Sequence, residues 1–202
     1  MTTGTRNEPD VGRIRSAAHF DHNWRIHKIA PDFVVEDVWA LPITGGRDDF
    51  QRLLMDFVAD SRQRRTDALA VRFLWAFRTR LGNLRGWDTE NESLTQAQSL
   101  YARLADDLRE GPRGPRFTRL PFSPLYLLDN EFATELLNRT VHGVMHLSWV
   151  PDGDAYRAQM AVLVKPQGML GRTYMAAIKP FRYLIVYPAM LRQWKRRSSA
   201  TR

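Results

Sequence analysis

The sequence predicts an α+β domain in which a curved antiparallel sheet packs against a long C-terminal helix. Three observations carry this expectation. A strand-like stretch near the start runs into amphipathic helical segments. A break rich in proline and glycine is followed by several short segments rich in strand formers. The chain then changes to helical spacing near its end. With 202 residues, 44% of them hydrophobic, it can build one domain with a sizeable core.

The elements follow in order. Residues 1–18 contain no apolar run and are expected to be a mobile tail, without a secretory signal. In "DFVVEDVWALP", Phe33, Val35, Asp37, Trp39 and Leu41 alternate with Val34, Glu36, Val38 and Ala40, which predicts a strand. "TGGRDDF" supplies a turn and a helix start. Phe50, Leu53, Leu54, Phe57 and Val58 then fall on one face of a helix. "ALAVRFLWAFRTRLGNLRGWD" predicts a second helix with Val71, Leu74, Trp75 and Leu81 on its apolar side. "SLTQAQSLYARLADDLREG" predicts a third, capped by Ser93 and carrying Leu100, Tyr101, Leu104 and Leu108. "GPRGP" ends it.

After this break, "PLYLLDNEF", "ATELLN", "GVMHLSWV" and "AYRAQMAVLVK" read as strands, the last two joined by a "PDGD" hairpin turn. From Gly168 to Arg197, Leu170, Tyr174, Ile178, Phe181 and Ile185 recur at helical spacing. Pro180 and Pro188 should bend that helix. The expected domain therefore spans residues 19–197, with a basic tail at 198–202.

Composition excludes several chemistries. The chain has no cysteine, so disulfides, thiolate metal sites and cysteine nucleophiles are ruled out. This fits a reducing cytoplasm, the expected location. The longest apolar stretch, "YLIVYPAML", is far short of the ~20 residues a spanning helix needs. The net charge of +8 is uneven. From Ala155 onward there are ten Lys/Arg and no acid, against twenty Lys/Arg and twenty-two Asp/Glu before it. Such a basic end suits an anionic neighbour or a solvated helix terminus.

Several stretches resemble an uncharacterised bacterial family, a domain of unknown function. They are "APDFVVEDVWALP" with "GGRDDF", "NRTVHGVMHLSWV" and "KPQGMLGRTYMAAIKPFRYLIVYP". A related domain occurs fused behind short-chain-dehydrogenase-like proteins. The element order also resembles the helix-grip fold of START and polyketide-cyclase-like proteins. That likeness implies a sheet wrapped around the last helix and an apolar cavity between them. It implies no catalytic residue. The chain has no GxGxxG after its first strand, and no cofactor motif.

His142 and His146 lie four apart in "NRTVHGVMHLSWV". On a helix they would stack about 6 Å apart and could share a metal. On a strand they stand about 13 Å apart, at ~3.3 Å per residue, and could not. Thr140, Val141 and Val144 favour strand, so no metal site is expected. Met145, Leu147 and Trp149 should then line one face, and His146 and Ser148 the other. His22 and His27 are expected at the surface or a strand edge. "TGGR" reads as a turn rather than a phosphate loop, and Glu131 and Glu135 as paired carboxylates lacking a nucleophile.

Three functions remain open. The first is binding of a hydrophobic small molecule or lipid, with His146, Tyr174, Trp149, Glu135 and Phe181 as candidate contacts. The second is a cyclase or hydratase using His146 or Glu135 as acid/base. The third is a peripheral membrane or partner-binding module using Trp194, Lys195, Arg196 and Arg197 on an anionic surface. No motif for specific nucleic-acid binding is present.

Overall fold

A computed structural model describes residues 12–63, 98–117, 122–137 and 141–166. The strands are β1 (Gly12–Ile14), β2 (Val34–Gly45), β3 (Ser123–Leu127), β4 (Glu131–Leu137), β5 (Val141–Asp152) and β6 (Ala155–Pro166). They form one antiparallel sheet in the order β1-β2-β6-β5-β4-β3. The helices are α1 (Arg25–Ile29), α2 (Phe50–Gln63) and α3 (Asp106–Glu110), with 3-10 turns at Ser16–His19 and Leu100–Arg103. Among the described residues the architecture is α+β and sheet-dominated. The second predicted helix and the long C-terminal one lie outside them.

The sheet is covered on both faces. One face carries Val35, Val38, Ala133, Val144, Ala161 and Leu163. It packs under Trp24, Ile26 and Ile29 of the N-terminal segment and Leu100, Leu104 and Leu108 of the later one. The other carries Trp39, Leu41, Phe132, Leu147, Trp149 and Met160, and packs under Phe50, Leu54 and Val58 of α2. The i, i+4, i+8 spacing of these three side chains produces the packing expected from the sequence. On β5 the predicted division holds. Leu147 and Trp149 face α2, and Val144 lies on the opposite side with His142 and His146. At the surface, Asp32 accepts from Arg103 (2.6 Å) and Lys165 (2.6 Å), tying the 3-10 turn to the end of β6.

Several elements depart from the sequence reading. The alternation expected for β2 breaks at Glu36, where the register with β6 shifts between Val35 and Asp37. A bulge inserts one unpaired residue, so Val35 joins Val38 on one face while Trp39 and Leu41 point to the other. From Leu100 on, the third predicted helix is two short pieces. Leu104 (ψ 136°) and Ala105 (ψ 158°) are extended between them, and Asp106 and Asp107 open a new first turn where acids suit the dipole. Ser99 caps the first of these pieces by accepting from the Tyr101 N–H, and Ser93 lies outside the described residues. The break between β3 and β4 falls at Asp129–Asn130, so Glu131 begins a strand instead of ending one. Gly12–Ile14, in the stretch read as a tail, pair with Val38–Ala40.

Two glycines matter to the backbone. Gly153 (φ 62°) is the first of two residues turning β5 into β6, the type II′ pattern. Gly114 (φ 83°) passes so close to Phe132 that an added Cβ would lie 2.6 Å from the ring. Gly153→Ala meets nothing within 4 Å and should cost about 1 kcal/mol for its left-handed backbone. Gly114→Ala adds a clash with a buried ring and should cost roughly 3 kcal/mol. Urea denaturation of the two variants checks the difference; equal losses would refute it.

Candidate functional site

Polar residues on a sheet face that is covered must find partners inside the protein. The face opposite α2 holds an unusual number of them. His19, Glu131, Glu135, His142 and His146 are all less than a tenth exposed, and His19 and His146 are fully buried. They form two carboxylate–imidazole pairs with one repeated geometry. His146 Nε2 lies 2.9 Å from Glu131 Oε2, and His142 Nε2 lies 2.9 Å from Glu135 Oε2. In the β4–β5 register His146 sits opposite Ala133 and His142 opposite Leu137. Each histidine thus reaches the glutamate two residues before its direct partner. These are diagonal cross-strand neighbours, within reach of long side chains. The two pairs repeat four residues apart along both strands.

Each carboxylate does a second job. Glu131 Oε1 accepts the backbone N–H of Arg25 (3.0 Å), the first residue of α1, while Oε2 also accepts the Tyr126 hydroxyl (3.0 Å). Glu135 accepts the Leu100 N–H (2.9 Å), the first residue of the second 3-10 turn, and the Ser99 hydroxyl. The opening N–H groups of a helix have no partner within it. The two glutamates supply partners from the sheet. One ties the N-terminal cover segment to the sheet, and the other ties the later one.

The Glu131 pair extends one step further. His19 Nε2 lies 3.0 Å from His146 Nδ1, and the His27 ring N–H donates to the His19 carbonyl (3.2 Å). The proton positions follow from the network. A carboxylate only accepts, so His146 donates through Nε2 and accepts at Nδ1 from His19 Nε2–H. This leaves His19 Nδ1 as a buried acceptor, without a hydrogen-bond partner among the described residues. Trp24 Nε1 is a second such atom in the same segment. Each unpaired buried group costs about 1–3 kcal/mol.

The electrostatics agree with these roles. Burial pushes Glu131 up, but hydrogen bonds from His146, the Arg25 N–H and Tyr126 outweigh it and hold the carboxyl below its usual range. Glu135 shows the same balance, with burial opposed by His142, Ser99 and the Leu100 N–H. Burial lowers His146, only partly offset by Glu131. Burial also lowers His19 strongly, and His146, His27 and His22 add to the effect. Burial, with the Glu131 charge, pushes the Tyr126 hydroxyl far up. The resting state is an ionised carboxylate at the head of a chain of neutral imidazoles.

The opposite face has different chemistry. Leu41, Ile43, Phe50, Leu53, Leu54, Phe57, Leu147, Trp149 and Ala158 enclose an apolar crevice of about 20 Å³ between α2 and the sheet, room for little more than a methyl group. The Trp149 indole N–H is directed away to the Gly46 carbonyl (2.9 Å). The "TGGR" turn is stitched internally, since the Gly46 N–H donates to Asp49 Oδ2 (2.8 Å). The protein's own carboxylate stands where a phosphate would have to sit.

The sequence-derived candidates therefore divide. His146 and Glu135 share one face and are each committed to the paired network. Trp149 lies on the other, beside the crevice. Tyr174, Phe181, Trp194, Lys195, Arg196 and Arg197 lie outside the described residues. His27, expected at the surface or an edge, is half-buried, stacks on Phe20 at 4.7 Å and holds the His19 carbonyl. His19 was not singled out by the sequence reading. Its signal was the clustering of His19, His22 and His27 within nine residues.

The family model described as "Protein of unknown function (DUF2867)" matches residues 29–189. The chain belongs to that family. Both glutamates and both strand histidines lie inside the matched range, whereas His19, Trp24 and Arg25 precede it. No curated protein and no solved structure matches significantly. No helix among the described residues is long and apolar enough to cross a membrane.

Glu131→Ala would strip the acceptor from His146, Tyr126 and the Arg25 N–H together. Leaving three buried donors unpaired, at about 1–3 kcal/mol each, should cost about 3 kcal/mol or more. Tyr126→Phe removes one hydrogen bond and should cost about 1 kcal/mol. Guanidinium denaturation of the two variants checks this. A loss under 1 kcal/mol for Glu131→Ala would show that the pair does not hold the segment.

Proposed function

We propose that this protein binds a small hydrophobic or lipid-like molecule between its sheet and its helices, as helix-grip proteins do. The observation that carries the reading is the crevice beneath α2, whose lining residues are all apolar. In this reading the crevice widens to admit the ligand. Polar ties hold α2 near its start, through Trp149 to the Gly46 carbonyl and through Gln51 to Asp129 (3.2 Å). Further along, Leu54 and Val58 pack into the apolar cluster with Leu147 and Trp149. In this reading the far part of α2 shifts on those non-directional contacts and widens the crevice. Burial of apolar ligand surface would drive binding.

The strand order supports the helix-grip reading. The long early strand β2 pairs with the last strand β6, and β5, β4 and β3 follow as a meander. β6 is thus an interior strand, and the chain after it leaves from the middle of the sheet. A helix beginning there is placed to lie across a face. In this reading Tyr174 and Phe181 close over the ligand opposite Trp149. His146 and Glu135 serve by holding the other face together.

Native mass spectrometry of the full chain purified from its own host should show a bound species, and a fluorescent fatty acid should bind the stripped protein. Ala158→Leu fills the crevice from β6 and should weaken that binding at least tenfold while leaving the circular dichroism unchanged. Apo mass in every preparation, with no fatty-acid binding, would overturn the reading.

A further inference from the structure

We propose that the segment Ser16–Ile29 is an acid-released latch, held on β4 and β5 by neutral histidines and let go when they take up protons. Its polar ties to the sheet are His19 to His146 and the Arg25 N–H to Glu131. The first exists only while His19 and His146 share a single proton between their facing nitrogens. A second proton there puts two N–H groups head to head.

Among the described residues the surroundings offer little to absorb added charge. From β5, His19 faces His146. From its own segment it faces His27, with ring centroids 4.7 Å apart, and His22 is the next charge-bearing neighbour. All three are imidazoles, so a proton on any of them adds positive charge beside His19. From β4, Glu131 is one carboxylate already shared among His146, Tyr126 of β3 and the Arg25 N–H. The Arg25 guanidinium adds positive charge and is directed to Asp107 (3.5 Å). From β2, the residue in line with His146 on this face is Val38, which carries no charge, and Asp37 lies on the opposite face. His19 Nδ1 and Trp24 Nε1 are already buried without partners among the described residues, so the docked segment begins with a deficit.

The direction follows from linkage. The docked state lowers the proton affinity of His19 and His146, and the released state restores the ordinary histidine value near 6.5. Docking is therefore complete above about pH 6.5 and weakens as pH falls below it. Release gains about tenfold per pH unit for one proton taken up, and about a hundredfold for two. Glu131, whose carboxyl is held low, stays ionised through this window and contributes only under more acid conditions. Release would uncover Trp24, Ile26 and Ile29 together with the sheet surface beneath them.

Hydrogen–deuterium exchange of the full chain at pH 7.5 and pH 5.5, with times corrected for the intrinsic exchange rate, tests this. Peptides covering residues 16–30 should lose about ten- to a hundredfold of their protection at the lower pH, while β5 and β6 keep theirs. His19→Gln keeps a donor near the Nε2 position but cannot be protonated, and should remove most of the dependence. If that variant does not fold, nitrogen-15 NMR of the histidines in the unmodified protein decides. His19 should stay neutral for as long as the segment is protected. A His19 that titrates near 6.5 with protection intact would overturn the latch. So would protection unchanged at pH 5.5, or lost from the whole sheet at once.

Discussion

The structure depends on placing two ionised carboxylates on a sheet face that has no access to water. A buried carboxylate without compensation is far too costly to keep charged. Glu131 and Glu135 meet the requirement in the same way. Each takes one imidazole from the neighbouring strand and one N–H from the start of a short helical turn. The second partner explains the cover segments. α1 is five residues long and the second 3-10 turn four, and neither length is stable alone. Each begins where a sheet carboxylate waits for its first free donor. The electrostatic requirement of the sheet and the capping requirement of the turns are met by the same atoms.

This arrangement separates the two faces by chemistry. The face under α2 is closed by side chains such as Phe50, Leu54, Leu147 and Trp149, which adapt by sliding. The opposite face is closed by directional bonds that tolerate little displacement. Parting a helix from the sheet is therefore easiest on the α2 side. A change of protonation acts most strongly on the other. β5 serves both, because alternate residues of one strand face opposite ways.

Much of this was legible in the sequence, and the rest failed for identifiable reasons. The α2 periodicity and the strand character of "VHGVMHLSWV" survived because each rests on local spacing. The alternation of β2 failed at Glu36, since a bulge depends on pairing with β6 rather than on composition. The third helix failed because Leu104 and Leu108 keep helical spacing even when an extended Leu104–Ala105 joint intervenes. The paired carboxylates and paired histidines were both noticed, each as a set in itself. What was missing was the register between β4 and β5, which turns two sets of like residues into two unlike pairs. The matching interval of four in both strands was the available clue.

That interval also bears on why a polar arrangement stands where a hydrophobic one would be cheaper. Apolar side chains on β4 and β5 specify which face is buried but discriminate weakly between registers that preserve the face. A slip of one residue would turn Glu131 and Glu135 into the face that holds Phe132 and Leu147. A slip of two one way would set the glutamates diagonally against Ser148 and Val144 and lose both pairs; the other way it would put Glu131 directly opposite His146 and Glu135 directly opposite His142. A slip of four would keep one pair and strand one carboxylate and one imidazole. The observed register is the one that joins all four diagonally while aiming both carboxylates at the cover segments. The same register brings Glu131 to α1 and Glu135 to the second 3-10 turn, so an error in the hairpin would also unfasten both cover segments. The two pairs thus read as a device for specifying alignment, and the chain of imidazoles that ends at His19 extends that alignment into the N-terminal segment.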